Sequence, residues 1–454
     1  MKKFTQVEDV INSKFLPSSA MIYCAGNAST PQILLKQIIK DKNIRDVGML
    51  SLLLLGDIES LFSSEVCDRI THRVLFSGSL SRKALNQGLA SYQMMHLSDI
   101  PHQVRNYLKP CVVLLTVSGP DNGGNYSYGS TVEGLQAALS AVKACGGLVI
   151  AERNKQMPFV LGTTLKESDI NFLIDVDYPL PISPTKNPDE TSQKIGNLVT
   201  ELYIENGTTL QYGIGEVPEA VTDAIISKGV QDIGIYTELF ANAMQKLVTS
   251  GVVTNKFLAA NFATSTIFLS SNKQGYDWMN YNSSIQSRPC DMTNSILRIA
   301  AQYKMTAINS AIGIDLHGNI WADSLQGRMV YSGIGGQADF LRGSYLSKGG
   351  HGIIAMKSET NKGLSKIIDL CPAGITTTAI AADPVKIVTE NGAFNPMGLT
   401  IAEHAVGIAH LAKEETREKL LRHIYDSKEY YKPKIALKEK SPKGFISYES
   451  VFSK

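Results

Sequence analysis

The chain has 454 residues, of which 43% are apolar and 19% charged, and its formal net charge is +2. These are the values of a soluble globular protein, and they exclude a strongly basic surface of the kind that binds nucleic acid or an anionic membrane. No apolar run reaches the ~18 residues of a membrane helix, and six scattered cysteines without a CxxC spacing imply reduced, structural thiols and no metal site in a cytoplasmic protein.

At roughly 150 residues per domain the length predicts two large domains. In chain order, residues 20–60 read as a strand, a glycine turn, a helix started by Pro31 and a second strand beginning near Asp46. Short apolar runs alternate with turns from His72 to Leu108. The run CVVLLTVSGP from Cys111 reads as a buried strand, because it is β-branched and closed by Gly-Pro. A helix is predicted over 131–144, followed by the strand LVIAE. This alternation implies a mainly parallel sheet covered on both faces. Residues 178–191, YPLPISPTKNPDET, hold four prolines and mark the boundary between a first domain at 1–180 and a second at 190–425. Residues 426–454 read as a basic, solvated tail.

The second domain opens with QYGIGEVPEAVTDAII, predicted as a strand end at Gln211, a turn built on Gly213 and Gly215, and a helix beginning at Pro218. DIGIYTELF follows as an apolar strand that delivers Glu238 at or just past its end. Set beside residues 20–60 this is the same unit twice. PQILLKQII from Pro31 matches PEAVTDAII from Pro218, and the strand from Asp46 matches the strand from Asp232, with Leu52 at the place of Glu238. A duplicated scaffold with one acid-bearing copy fits a two-domain enzyme with a single active site, since ligands of open α/β sheets sit beyond the strands' carboxyl ends.

VYSGIGGQADFLRG satisfies GxGxxA at Gly333, Gly335 and Ala338, which is either a dinucleotide turn or a set of bared N–H groups for an oxyanion. NYSYG around Ser127 approaches a nucleophile elbow with Asn125 in place of its first glycine. His317 and His351 read as turn residues. Glu390, in VTENGAF, is a rival acid in a similar strand-acid-glycine context.

Together QYGIGEVP, DIGIYTELF, INSAIGIDLHGNIWADS, YSGIGGQADFLRG, SKGG and VTENGAF resemble the acetyl-CoA hydrolase/transferase family of class I CoA-transferases, whose shorter members act on 4-hydroxybutyrate, butyrate or itaconate. The resemblance covers the chain to about residue 425. It implies two similar open α/β domains with the active site between them, Glu238 as nucleophile, and a CoA site lined by Gln211, Gly213, Gly215, Pro218, Gly333, Gly335, Gly336, Gln337, Ala338 and Asp339. It also implies acyl-CoA and a short carboxylic acid as substrates, no permanently bound cofactor, and a homodimer or higher homo-oligomer. In the implied chemistry Val217 and a glycine of the 333–336 stretch, Gly335 among them, give N–H groups to the oxyanion. Hydrolysis of acyl-CoA, or acyl-CoA binding without catalysis, are the alternative outcomes of the same residues. The family usually has His where this chain has Tyr236.

Overall fold

The computed structural model describes residues 1–325, 327, 329–427, 429–430 and 441–453. Its first domain is built on one parallel sheet. The strands are β1 (Lys2–Lys3), β2 (Met21–Cys24), β3 (Val47–Leu52), β4 (Ile70–Phe76), β5 (Ser91–Tyr92), β6 (Val112–Val117), β7 (Leu148–Asn154) and β8 (Phe172–Val176). They lie in the order β1-β8-β7-β6-β2-β3-β4-β5, every neighbouring pair parallel. All six residues of β6 are buried, which is why this central strand reads as an unbroken apolar run rather than an alternating one.

The second sheet contains β9 (Thr209–Tyr212), β10 (Gly234–Ile235), β11 (Met305–Asn309), β12 (His351–Ala355), β13 (Lys386–Thr389), β14 (Gly392–Phe394) and β15 (Phe445–Ser447). Its order is β10-β9-β11-β12-β13-β14-β15, parallel through β13 and closed by two antiparallel strands. The fold is thus two open, mainly parallel α/β domains. One apolar core runs through their junction, from Tyr23 and Leu115 to Leu210 and Ile353.

The duplication is visible in the register. In the first unit Met21 of β2 pairs with Gly48, and in the second Thr209 of β9 pairs with Gly234. Asp46 and Asp232, each two residues before the paired glycine, both take left-handed backbone angles, φ 56 and φ 60. Leu52 and Glu238 each follow that glycine by four positions. The helices between the strands are α1 (Gln32–Lys40) and α2 (Glu216–Lys228).

Four expectations are corrected. Helix α2 begins at Glu216 and not at Pro218, with Gly215 as its cap at φ 127; proline is tolerated in this first turn because its missing N–H has no intrahelical acceptor there. The helix expected over 131–144 starts only at Leu135, since Val132 and Glu133 give their N–H groups across the domain junction to Thr266. DIGIYTELF is not one strand: β10 stops at Ile235, and Leu239–Phe240 pairs with Ile267–Phe268 instead. Within the basic tail, Phe445–Ser447 returns as the edge strand of the second sheet, and residues 448–452 form a short helix; residues 428 and 431–440 lie outside the described residues.

Candidate active site

The break in DIGIYTELF creates the site. Thr237 donates its N–H to Thr264 O at 2.9 Å, so the chain leaves β9 and follows the 263–268 segment. Glu238 sits in the gap between the two pairings. Its carbonyl accepts from Ile267 N–H at 2.9 Å, Thr266 N–H at 3.3 Å and Ser265 Oγ at 3.0 Å. With the main chain held this firmly, the side chain has few directions open to it.

The carboxylate meets three groups. Asn294 Nδ2 donates to Glu238 Oε2 at 3.0 Å, and the Gly336 N–H faces the same carboxylate. Gly336 immediately precedes helix α3 (Gln337–Leu346), so the carboxylate lies at a helix N-terminus, where bared N–H groups favour an anion. A β-carbon on Gly336 would lie 2.0 Å from Glu238 Oε2 and 1.9 Å from Asn294 Nδ2, so only glycine permits this approach. The third group is Asp339. Its Oδ2 lies 3.4 Å from Asn294 Nδ2, and its Oδ1 accepts from Ser98 Oγ of the first domain at 2.8 Å.

Burial pushes Glu238 up to about 7; the Asn294 hydrogen bond and the Gly336 N–H oppose the rise, and the charge on Asp339 adds to it. Asp339 is likewise pushed up to about 7 by burial.

The stretch around Gly333–Gly336 belongs to both domains. Gly335 takes φ 61 and its carbonyl accepts from Leu97 N–H at 2.9 Å, while Ile334 N–H donates to Tyr92 Oη at 3.0 Å. Upstream, Arg82 stacks over the Tyr331 ring at 4.1 Å and donates to its carbonyl. The first domain thus forms the bed on which the glycines reach Glu238.

A cleft of about 510 Å³ is walled by the Gly213–Glu219 turn, residues Ser183–Lys186, Ala241, Tyr331, Lys357 and Lys366. Lys357 bridges Asp189 (2.7 Å) and Glu216 (2.6 Å), tying the linker to the first turn of α2.

Among the residues singled out in the sequence, Gly213, Gly215, Val217 and Pro218 line this cleft. Gln211 does not, for it is buried beneath the turn, where its Oε1 accepts from Asn309 Nδ2. Gly333, Gly335, Gly336, Gln337, Ala338 and Asp339 do not line the cleft; Gly336 and Asp339 lie at Glu238, while Gly333 and Gly335 pack on Phe76 of the first domain. Gly336, not Gly335, presents the N–H to the acid. Gln337 Nε2 is buried without a hydrogen-bond partner.

The other motifs have partners of their own. Ser127 Oγ is fully buried and donates to Val160 O at 2.7 Å. Gly333 follows a two-residue antiparallel strand, Met329–Val330, instead of the long parallel strand of a dinucleotide fold. Glu390 accepts from Ser358 N–H at 3.0 Å and from Ser358 Oγ. His351 is hydrogen-bonded to Lys386 at 2.6 Å. The sequence reading missed Asn294 and Ser98, which lie in PCDMTNSI and HLSDIP, segments with no motif to mark them.

Two α/β domains with a half-buried glutamate at a glycine-capped helix start fit a class of enzymes acting on CoA thioesters, and the comparisons agree. The acetyl-CoA hydrolase/transferase N-terminal domain model matches residues 1–181 and the C-terminal domain model matches residues 272–424. A 4-hydroxybutyrate coenzyme A transferase of Clostridium kluyveri is 35% identical over 77% of this chain and 81% of its own length. The succinyl-CoA:acetate/propanoyl-CoA:succinate CoA transferase of Fasciola hepatica is 30% identical over 91% and 86%. Among solved structures, RipA from Yersinia pestis superposes with a TM-score of 0.85 at 26% identity, covering 94% of this chain and 97% of that one. The 4-hydroxybutyrate CoA-transferase of Porphyromonas gingivalis gives 0.75 at 25%, with the same coverage. The chain belongs to the acetyl-CoA hydrolase/transferase family and is an enzyme of that kind.

Proposed function

We propose that the protein transfers CoA from an acyl-CoA to a short carboxylic acid, with Glu238 as the nucleophile. The observation that carries this reading is the placement of Glu238: a carboxylate in the domain junction, facing the N–H of Gly336 and the amide of Asn294, in a chain whose Gly213–Glu219 turn lines a cleft with lysines on its wall.

Glu238 attacks the thioester carbonyl. The carbonyl π electrons move to oxygen, and N–H groups at the starts of α2 and α3, those of Val217 and Gly336, receive the oxyanion. Collapse breaks the C–S bond and leaves an acyl-glutamyl anhydride and a CoA thiolate. The thiolate then attacks the glutamyl carbonyl, releasing the first acid and forming a glutamyl-CoA thioester. An incoming carboxylate reverses the sequence. Lys186, Lys357 and Lys366 suit the CoA phosphates at the cleft, and the free Gln337 Nε2 suits a carbonyl or carboxylate oxygen of the acyl group. No metal or permanently bound cofactor enters this scheme. We place the enzyme in the cytoplasm as a homo-oligomer, in keeping with its free cysteines and the exposed Leu297 and Leu346.

Hydrolysis differs only in which nucleophile discharges the anhydride or thioester; a carboxylate gives transfer and water gives hydrolysis. The test is intact-protein mass spectrometry with acyl-CoA and no acceptor acid. A CoA adduct mapping to Glu238, lost on adding acetate and absent from Glu238→Gln, is the expected result. An adduct on Glu390, or acyl-CoA binding with neither adduct nor turnover, would contradict it.

A further inference from the structure

Glu133 is fully buried, carries a side chain for which the reaction above has no use, and takes a left-handed backbone at φ 33 although a glycine stands next to it. Gly134 instead keeps φ −90, and a β-carbon there would lie 2.7 Å from Tyr23 Oη and 2.8 Å from Ile100. The strained angle therefore falls on the residue whose side chain points into the domain junction.

Its contacts lead to Glu238 by two routes. The Glu133 N–H donates to Thr266 Oγ1 at 2.9 Å, and Thr266 in turn donates its N–H to Glu238 O at 3.3 Å. The Glu133 carbonyl accepts from Cys290 N–H at 3.1 Å; Cys290 opens the helical turn Cys290–Thr293, which ends at Asn294, the donor to Glu238 Oε2. On its other side, Glu133 Oε1 accepts from Gly26 N–H at 3.3 Å. Gly26 is a rigid anchor, because even a β-carbon there would lie 1.7 Å from Leu52 O.

We propose that Glu133 is a positioning residue for the reaction: its carboxyl group fixes the segments bearing Thr266 and Asn294, and through them the Glu238 carboxylate, to the Gly26 turn of the first domain. Burial pushes this carboxyl up to about 8, so it stands in the joint as a neutral acid at pH 7. A neutral group is what a joint without a cation requires; Tyr23, Cys24 and Cys290 surround it, none of them able to balance a charge. Glu133 Oε2, Tyr23 Oη and Asn27 Nδ2 are all buried without partners, marking the joint as a place where polar groups are kept in spite of their desolvation.

The proposal rests on Glu238 as the nucleophile. The experiment measures the rate of glutamyl-CoA formation and the KM for acyl-CoA in wild type, Glu133→Gly and Glu133→Gln, with circular dichroism to establish folding. Glycine removes the carboxyl group and relieves the φ strain, so a backbone role alone predicts full activity. Positioning predicts a rate at least about tenfold lower with KM within about twofold. Glutamine, neutral and still an acceptor for Gly26 N–H, should restore the rate to within about threefold of wild type. Full rate in Glu133→Gly overturns the proposal, as does a folded Glu133→Gln as slow as Glu133→Gly. If Glu133→Gly does not fold, the Glu133→Gln rate decides alone: near wild type supports, slow overturns. Absence of the adduct on wild type sinks the covalent reading and this one with it, whereas an adduct forming equally fast in all three proteins overturns only the role of Glu133.

Discussion

The two copies of the β-turn-helix-β unit have the same register and opposite interiors. In the first copy the turn after β2 is closed against the end of β3, since a β-carbon on Gly26 would strike Leu52 O. In the second copy a β-carbon on Gly213 or Gly215 meets nothing within 4 Å, and the turn opens onto the 510 Å³ cleft. The strands differ in the same sense. Leu52 is the last paired residue of β3 and is buried at 3% exposure, whereas Glu238 lies beyond β10 in a gap between pairings. One copy thus serves as a rigid wall and anchor, and the other has given up strand pairing to free a turn and a carboxylate. Chemistry was gained in this scaffold by opening a turn and breaking a strand as much as by placing an acid.

The largest expected effect comes from crowding the acid that the second copy presents. Gly336→Ala inserts a β-carbon into the 2.0 Å space beside Glu238 Oε2, so thioester formation should fall by on the order of 10²-fold or more in a protein of near-native melting temperature. Retained turnover would show that this glycine merely turns the chain. The first copy should respond the other way. Gly26→Ala forces a β-carbon against a backbone oxygen that cannot rotate aside, and should cost about 3 kcal/mol of stability in a urea melt. Gly213→Ala, into open space, should stay within about 0.5 kcal/mol of wild type while altering the KM for acyl-CoA. Equal destabilisation by the two substitutions would erase the contrast between closed and open turns.

Much of this was legible in the chain because the signals were local. The Pro31/Pro218 repeat and the β-branched run at β6 each reflect one element's own periodicity or stiffness, and each led to the right architecture. Glu238 was legible because its copy, Leu52, stood for comparison. What stayed hidden depends on contacts between distant segments. Asn294 is an ordinary asparagine until the fold brings it 3.0 Å from Glu238, and Ser98 an ordinary serine until Asp339 meets it. The break after Ile235 was unreadable for the same reason: DIGIYTELF has the composition of one strand, and only the competing 263–268 segment divides it. The resemblance implied a CoA-site place for Asp339; its hydrogen bond with Ser98 of the first domain had no signal in the sequence.

The smallest effect concerns the pair of acids, and its sign can be worked out. The attacking form of Glu238 is the carboxylate, so glutamyl-CoA formation should rise with pH through about 7, the value to which burial pushes this group, and level off above it. Asp339 contributes to that elevation by its charge. Asp339→Asn removes the charge and keeps an oxygen for Ser98, so the Glu238 carboxylate becomes easier to form and the rising limb should move to lower pH. Stability runs in the opposite direction to activity. A carboxyl whose folded pKa is raised binds its proton more tightly in the folded state, so its contribution is fully present below the unfolded carboxylate value and declines as pH climbs from about 4.3 toward 7. Asp339→Asn should flatten that decline in the free enzyme while shifting the activity limb toward acid. A limb that stays in place would mean that Asp339 is protonated throughout and acts only through Ser98, and a limb that moves toward alkali would mean that losing the interdomain contact buries Glu238 further. In either case the second copy's acid would owe its proton affinity to desolvation alone, and the open copy would differ from the closed one in shape without a charged partner from the glycine loop.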